Sequence, residues 1–443
     1  MKSNPEGVAA LQKCERQFCC ALSSFLSENP HVKRWVIAHS GGLDSQLLLH
    51  LAAKRIPSTS LLVLHINHHL QASSGRWAEF SLTQSRQLSL HHQSIDVYPA
   101  SQSENSAREA RYAAFEEVIE SGDCLLMGHH ADDQAETVLF RMLRGSGLAG
   151  MSGITPSRTL GQGYLLRPLL QLSRLDLERA VSESGIEFID DPSNVDENYD
   201  RNYLRHQIIP VLKKRWPNML ERWEKNAQLF SQSNQLLESY LDADLSGLVD
   251  EQRLCLDIER LLQFDELRGF ALLRHWLYKK TKMRANQKQL ETIFSDVLKA
   301  QLDANPIYRI GQYDLRRFLG QLYIVKPREL VGDDCKSEAQ ISGVGEYRLP
   351  GGLLTVRSAS LGIKESAGLM VRYRQGGERC RPAGKKHSML VKKLLQEAAV
   401  PTWLREHWPL LYMGEELVAV PGICICEGWY TEKSGFSLLW HPF

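Results

Sequence analysis

A short apolar run, Trp35–Ala38, leads within two residues into Ser40-Gly41-Gly42-Leu43-Asp44-Ser45 and then into helical spacing. This join constrains the chain more than any other feature, because a glycine turn between a buried strand and a helix is the repeating joint of an α/β sheet. The alternation continues through residues 35 to 144, with Leu61–Ile66, Ser94–Tyr98 and Cys124–Met127 as further buried strands. The expected fold class is α/β, an open and mostly parallel sheet with helices on both faces. Ligands of such sheets sit beyond the carboxyl ends of the strands. Ser40–Ser45, Asn67–Leu70 and Gly128–Asp133 are therefore expected to converge on one crevice.

The glycine turn has the chemistry of a phosphate site. Gly41 and Gly42 let the backbone approach closely, the helix start offers unpaired N–H groups and the positive end of its dipole, and Ser40 and Ser45 add hydroxyls. Asp44 is the exception, since a carboxylate beside polyphosphate repels it unless Mg2+ lies between them. Ser40, Gly41, Gly42, Leu43, Asp44 and Ser45 are thus candidate nucleotide ligands, with Asp44 on the metal. Neither the G-x-x-x-x-G-K loop of P-loop enzymes nor G-x-G-x-x-G stands at this position. An ordinary glycine turn with an Asp near a helix start is the competing reading.

Gly128-His129-His130-Ala131-Asp132-Asp133-Gln134-Ala135-Glu136-Thr137 ends another strand and enters a helix whose expected apolar face is Ala135, Val138, Leu139, Met142 and Leu143. Asp133 and Glu136, three positions apart, then share a neighbouring face and can act on one cation. That cation is either a metal or an ammonium group. An attacking amine must lose a proton from a group whose ordinary pKa is about 10.4, a task open to the carboxylates or to His129. Helix capping by Asp132 or Asp133 is the plainer alternative. Zinc is disfavoured, because adjacent His129 and His130 point differently and no Cys or His-Glu-x-x-His lies near.

A chain of 443 residues exceeds one ordinary core. Residues 1–214 are read as the α/β domain, 215–330 as a helical domain and 341–443 as a small α+β domain, with Val331–Ala339 as a linker. A hydrophobic share of 43% with 24% charged residues excludes disordered and fibrous classes. No apolar run approaches the roughly 20 residues that span a bilayer, and no basic-then-apolar leader opens the chain. A cytoplasmic protein without membrane contact is expected. The nine cysteines include no C-x-x-C pair, so reduced thiols are expected.

The S-G-G-x-D-S string resembles the loop of the PP-loop ATP pyrophosphatases, the adenine nucleotide alpha hydrolase-like group. The His129–Thr137 string, continued by Arg144-Gly145-Ser146-Gly147-Leu148-Ala149-Gly150, resembles the tRNA(Ile)-lysidine synthetase family. Further matching pieces are His65-Ile66-Asn67-His68, Glu104–Tyr112, Arg167-Pro168-Leu169, and Asp191-Pro192-Ser193-Asn194 followed by Arg201-Asn202 and Arg205. The resemblance implies ATP and Mg2+ as cofactors, and free L-lysine and tRNA(Ile) with a CAU anticodon as partners. It implies that a cytidine is adenylated on its base oxygen and that a lysine amine then displaces AMP. By motif position, Asp44, Arg108, His129, Asp133 and Glu136 would be catalytic. Asp133 and Glu136 would hold lysine, Arg108 and His129 would face the cytidine, and Arg201 or Arg205 would sit near the α-phosphate, with Arg111 a weaker candidate.

Charge is concentrated late in the chain. Between Val371 and Arg405 stand nine basic residues against two acidic ones. Arg372, Arg374, Arg379, Arg381, Lys385, Lys386, Lys392 and Lys393 are expected to meet tRNA phosphates, and the segment resembles the family's last domain. A solvated basic face is the plain alternative. Two rival functions remain, a PP-loop tRNA thiolase and a non-catalytic RNA-binding protein that kept the nucleotide fold. Either a monomer or a homodimer fits the sequence.

Overall fold

The computed structural model describes residues 5–69, 74–101, 103–190, 200–250, 255–301, 304–326 and 339–442. Leu70, the Asp191–Asn194 motif and positions 331–338 of the expected linker lie outside them. The chain divides into two compact units, Met1–Leu237 and Glu238–Phe443.

The first unit is built on one six-stranded sheet. Its strands are β1 (Arg34–Ala38), β2 (Leu61–Asn67), β3 (His91–Asp96), β4 (Asp123–Leu126), β5 (Ser157–Leu160) and β6 (Gly163–Leu166), in the order β3-β2-β1-β4-β6-β5. All neighbours pair parallel except β5 with β6. Side chains alternate across each central strand. Trp35, Ile37, Val63, Cys124 and Leu126 enter one core, while Val36, Leu64, Leu125 and Met127 enter the other. Strands buried on both faces must be apolar throughout, which is why β1, β2 and β4 were readable as continuous runs.

Helices α1 (Pro5–Glu28), α2 (Leu43–Arg55), α3 (Ser74–Gln87), α4 (Glu104–Val118) and α5 (Ala131–Leu143) follow in chain order. In α2, Leu43, Leu47, Leu48 and Leu51 are buried, each full burial contributing about 1.5–3 kcal/mol. After the short α6 (Leu148–Met151) come α7 (Arg174–Ser184), α8 (Asp200–Tyr203), a π-helical turn Leu204–Ile208, α9 (Ile209–Arg215) and the long α10 (Met219–Ser246).

Several expectations need correction. The third strand is His91–Asp96 rather than Ser94–Tyr98, and five of its six residues are exposed or half-buried polar groups in an edge position. The end of α5 runs past the core, so Met142 and Leu143 are exposed, not part of its apolar face. Helical periodicity from about residue 215, carried by Met219, Trp223, Leu229, Leu236, Leu237 and Leu241, predicts α10; Met219 and Leu241 are buried there, whereas Leu229, Leu236 and Leu237 are exposed.

In the second unit, the region expected to be helical also carries a five-stranded antiparallel sheet. It combines Val249–Asp250 and Cys255–Asp257 with the meander Ile307–Ile310, Tyr313–Phe318 and Gln321–Val325, packed on helix Glu266–Thr281. Residues 339–442 form two further five-stranded antiparallel sheets around a separate core. The spacing of Leu390, Leu394 and Leu395 predicts a helix over Ser388–Ala398, and the late helix is the shorter Val391–Glu397. Leu394 and Leu395 are buried with Val391, but Leu390 lies outside the helix and is exposed. The thiols are not all reduced: Cys380 and Cys426 form a disulfide. Among the described residues, no helix is long and apolar enough to cross a membrane.

Candidate active site

Strand order creates the site. β1 pairs with β2 on one side and β4 on the other, so the chain leaves β1 and β4 in opposite directions around the sheet and a crevice opens between their ends. The loop after β1 fills one wall. Ser45 Oγ accepts from Ser40 N–H at 3.2 Å and Gly41 N–H at 3.1 Å and donates to Gly42 C=O at 2.9 Å, closing the turn on itself. Leu43 points into the core, so only its amide is available to a ligand. Gly41 has φ +86° and a Cβ there would stand 3.3 Å from the Phe80 ring. Gly41→Ala is expected to cost about 1–2 kcal/mol in this left-handed position. The ATP KM should rise about tenfold through the shifted turn. An unchanged KM would show that the loop does not touch nucleotide.

The turn after β4 forms the facing wall. A Cβ on Gly128 would stand 3.0 Å from Asp44 C=O, so its absence lets the two turns meet. His130 is buried beside them, its Nε2 3.8 Å from Asp44 and 3.5 Å from Asp133. One imidazole nitrogen thus lies within 4 Å of a carboxylate from each wall.

Each carboxylate has a basic partner. Arg174 Nη1 donates to both oxygens of Asp44 at 2.7 and 2.9 Å, and its amide donates to Asp132 at 2.8 Å. Lys213 pairs with Asp132. Arg205 donates Nε to Glu136 Oε1 at 2.6 Å and Nη2 to Oε2 at 2.8 Å, and also reaches Asp133 at 3.3 Å. Burial raises the Asp44 carboxyl against the pull of His130 and Arg174, and burial likewise raises Glu136 against Arg205. For Asp133 burial is outweighed by His130, His129 and the His130 amide, which hold it below its ordinary value.

Beyond this network lies an arginine-rich face. Arg167 is buried and donates to His129 Nδ1 at 3.2 Å and to Thr155 C=O at 2.6 Å. Arg108 and Arg158 each stand 5.1 Å from the Tyr112 ring. Burial pushes the His129 pKa down to about 3 against the pull of Asp133, and Arg167, Arg111 and Arg108 push it the same way. A neutral ring with Nδ1 accepting leaves Nε2–H as a donor, and so weak a base cannot take the proton from an amine. His39, hydrogen-bonded to Ser81 at 2.7 Å, is also pushed down to about 3, first by burial.

These two shifts carry a stability prediction. From about pH 6.5 down to 3 the unfolded chain takes up protons at both positions while the folded chain refuses them. Stability should therefore fall with pH across that window, by up to about 1.4 kcal/mol per unit for each histidine. Urea midpoints between pH 7 and 5 measure the slope, and His39→Gln should make it shallower. An equal slope in the variant would remove His39 from the account.

Three family models match in order: a PP-loop domain over residues 14–212, a TilS substrate binding domain over 256–323 and a TilS substrate C-terminal domain over 369–440. A tRNA(Ile)-lysidine synthase from Coxiella burnetii is 35% identical over 432 residues, covering 95% of each chain. The chain belongs to the tRNA(Ile)-lysidine synthase family. A tRNA(Ile)-lysidine synthase from Pseudomonas fluorescens is 38% identical, covering 92% of this chain and 93% of its own. Among solved structures, a U34-tRNA thiolase from Methanococcus maripaludis is 14% identical, covering 51% of this chain and 80% of its own, with a TM-score of 0.41.

Within this lysidine synthase-family chain, the structure gathers Ser40–Ser45, His129, Asp133, Glu136 and Arg205 at the crevice. Arg205 sits on the acidic pair expected for lysine. Arg201 stands over the Phe140 ring at 5.7 Å, on the α5 side. Sequence reasoning assigned no role to Arg174, His130, Arg167, Arg158 or Lys213. Arg174 opens α7 just after the Arg167-Pro168-Leu169 motif and Asp176 closes a capping box on Ser173, the one local signal that a helix start lay there. Of the eight basic residues expected to meet tRNA, Arg372 is held by Glu415 at 2.9 Å through both amino groups and Arg374 lies 3.8 Å from Glu378. Arg379, Arg381, Lys385, Lys386, Lys392 and Lys393 are exposed.

Proposed function

We propose that this chain ligates free L-lysine to C2 of the first anticodon cytidine of tRNA(Ile) bearing CAU, using ATP and passing through an adenylated cytidine. Family membership over nearly the whole chain supports the activity. The observation that carries the mechanism is the His130 ring, within 4 Å of Asp44 on the phosphate-loop wall and of Asp133 on the acidic wall. Nucleotide and amine can therefore meet in one cleft.

The Ser40–Ser45 turn receives the ATP phosphates through its amides and hydroxyls. A Mg2+ ion fits the donor set, since Mg2+ usually takes one or two carboxylates plus substrate phosphates, and Asp44 is the hard oxygen ligand at the loop. There it would offset charge on the polyphosphate. The cytidine base oxygen attacks the α-phosphorus and pyrophosphate leaves. Arg108 and neutral His129 face the base, where Nε2–H donates to it. Lysine carries two amines, so Asp133 and Glu136 can hold one as ammonium while the other attacks C2 and expels AMP. Arg205 then moves from the carboxylates towards the phosphate, which reconciles its observed place with its expected one. Fixed charges of this kind in a water-excluded site are worth a few kcal/mol each in the transition state.

Incubation with ATP, labelled lysine and bulk tRNA, followed by digestion to nucleosides, tests the whole reading. Stable label on a cytidine with AMP and pyrophosphate is the expected product, and label on no nucleoside would sink it. The exposed lysines are proposed as backbone contacts in a cytoplasmic enzyme. Lys385→Ala with Lys386→Ala should lower the slope of log affinity against log salt by about 2. Arg372→Ala should leave that slope unchanged, because Glu415 already holds the guanidinium. Filter binding across a salt series reads both, and equal slopes in wild type and double variant would remove the lysines from the interface.

A further inference from the structure

Three cysteines of the second unit gather at one corner. Cys380 ends the strand Arg379–Cys380, and Cys424 and Cys426 flank Ile425. Backbone pairing brings the segments together: Glu427 N–H donates to Arg381 C=O at 2.7 Å, Ala383 N–H to Ile425 C=O at 2.9 Å, and Pro382 bridges Cys426. The disulfide between Cys380 and Cys426 spans Cα atoms 5.9 Å apart, in the ordinary range. Cys424 Sγ lies only 3.7 Å from Cys380 Sγ. One sulfur therefore has two partners within reach.

A pocket of about 530 Å³ opens on Cys380 and Cys426, with Arg379, Arg381, Glu416 and Glu427 in its wall beside Glu378 and Glu415, which pair with Arg374 and Arg372. Walls of both signs complement a small zwitterion. Among the described residues, no group of three or more His, Cys, Asp or Glu is arranged to hold a metal. An enzyme acting on tRNA works where thiols are kept reduced, and disulfides there are usually transient. That step alone rests on the proposed function.

We propose that Cys380, Cys424 and Cys426 form a reversible thiol–disulfide exchange site for a small zwitterionic thiol, with Cys380 as the shared sulfur. In the reducing direction the thiolate of the small molecule attacks the Cys380–Cys426 bond, forming a mixed disulfide and releasing one cysteine thiolate, which takes a proton. A second small thiol attacks the mixed disulfide, freeing the other cysteine and leaving as the small disulfide. Two small thiols are oxidised and one protein disulfide is reduced. Cys424 offers an isomerisation with no net redox change, attacking Cys380 Sγ and releasing Cys426. Burial pushes the Cys424 thiol up to about 11, so it is protonated at neutral pH, and the bonded pair in the structure is Cys380–Cys426.

Reduced full-length protein is treated with oxidised glutathione, quenched with iodoacetamide and mapped by peptide mass. The wild type should give the Cys380–Cys426 cross-link, which reduced glutathione then removes, and Cys426→Ser should give Cys380–Cys424 instead. Neutral hydroxyethyl disulfide at equal concentration should react at least about threefold more slowly, lacking the charges the pocket attracts. Failure to form either cross-link, or equal rates with the neutral disulfide, overturns the proposal. Lysine incorporation by the same samples reports separately on the proposed function.

Discussion

Glu136→Gln is expected to retain pyrophosphate release in the first turnover while lysine incorporation falls about a thousandfold, roughly 4 kcal/mol of transition-state stabilisation. The reasoning starts from burial. Glu136 is enclosed and its oxygens take two bonds from Arg205, so its charge has one purpose in the structure, the binding of a cation. Glutamine keeps the shape and one acceptor but not the charge, so the fold survives and the ammonium seat is lost. Quenched-flow measurement of both half-reactions decides the matter. An equal fall in pyrophosphate release would mean that Glu136 acts through Arg205 on adenylation rather than on lysine.

Asp44→Asn should act one step earlier. Its carboxylate is the anion of the phosphate-loop wall, bound by both contacts of Arg174 and facing His130. Without it Arg174 loses its partner and Mg2+ loses its proposed ligand, so pyrophosphate release should fall a hundredfold or more, about 3 kcal/mol. Binding of tRNA should stay within about twofold, because the exposed lysines proposed as backbone contacts belong to the second unit. Normal pyrophosphate release in this variant would take Asp44 out of the chemistry.

What could be read from sequence depended on how far a residue's partner lay along the chain. The turns Ser40–Ser45 and Gly128–Asp133 were visible because each packs its chemistry into consecutive residues beside a doubly buried strand. The β3 strand was not, since His91–Asp96 lies at the sheet edge and needs no apolar run. Arg174 meets Asp44 across 130 positions, and no local spacing announces such a pair. Arg205 was placed, with Arg201, near the α-phosphate by motif resemblance, and no local spacing shows that it reaches Glu136 across 69 positions. The count of basic residues from Val371 to Arg405 stopped short of Glu415, whose carboxylate neutralises Arg372. The last strand of the meander, Gln321–Val325, pairs with Cys255–Asp257 far upstream, which local spacing does not announce either.

The guanidinium of Arg205 between Glu136 and Asp133 has a kinetic corollary on the proposed reading. A seat already filled by the chain's own cation stays closed to an amino acid until something more negative draws that cation away, and the polyphosphate of an arriving nucleotide supplies it. Lysine would then bind weakly to the empty enzyme and tightly only after the nucleotide, an enforced order of arrival that keeps the nucleophile out until there is an activated base for it to meet.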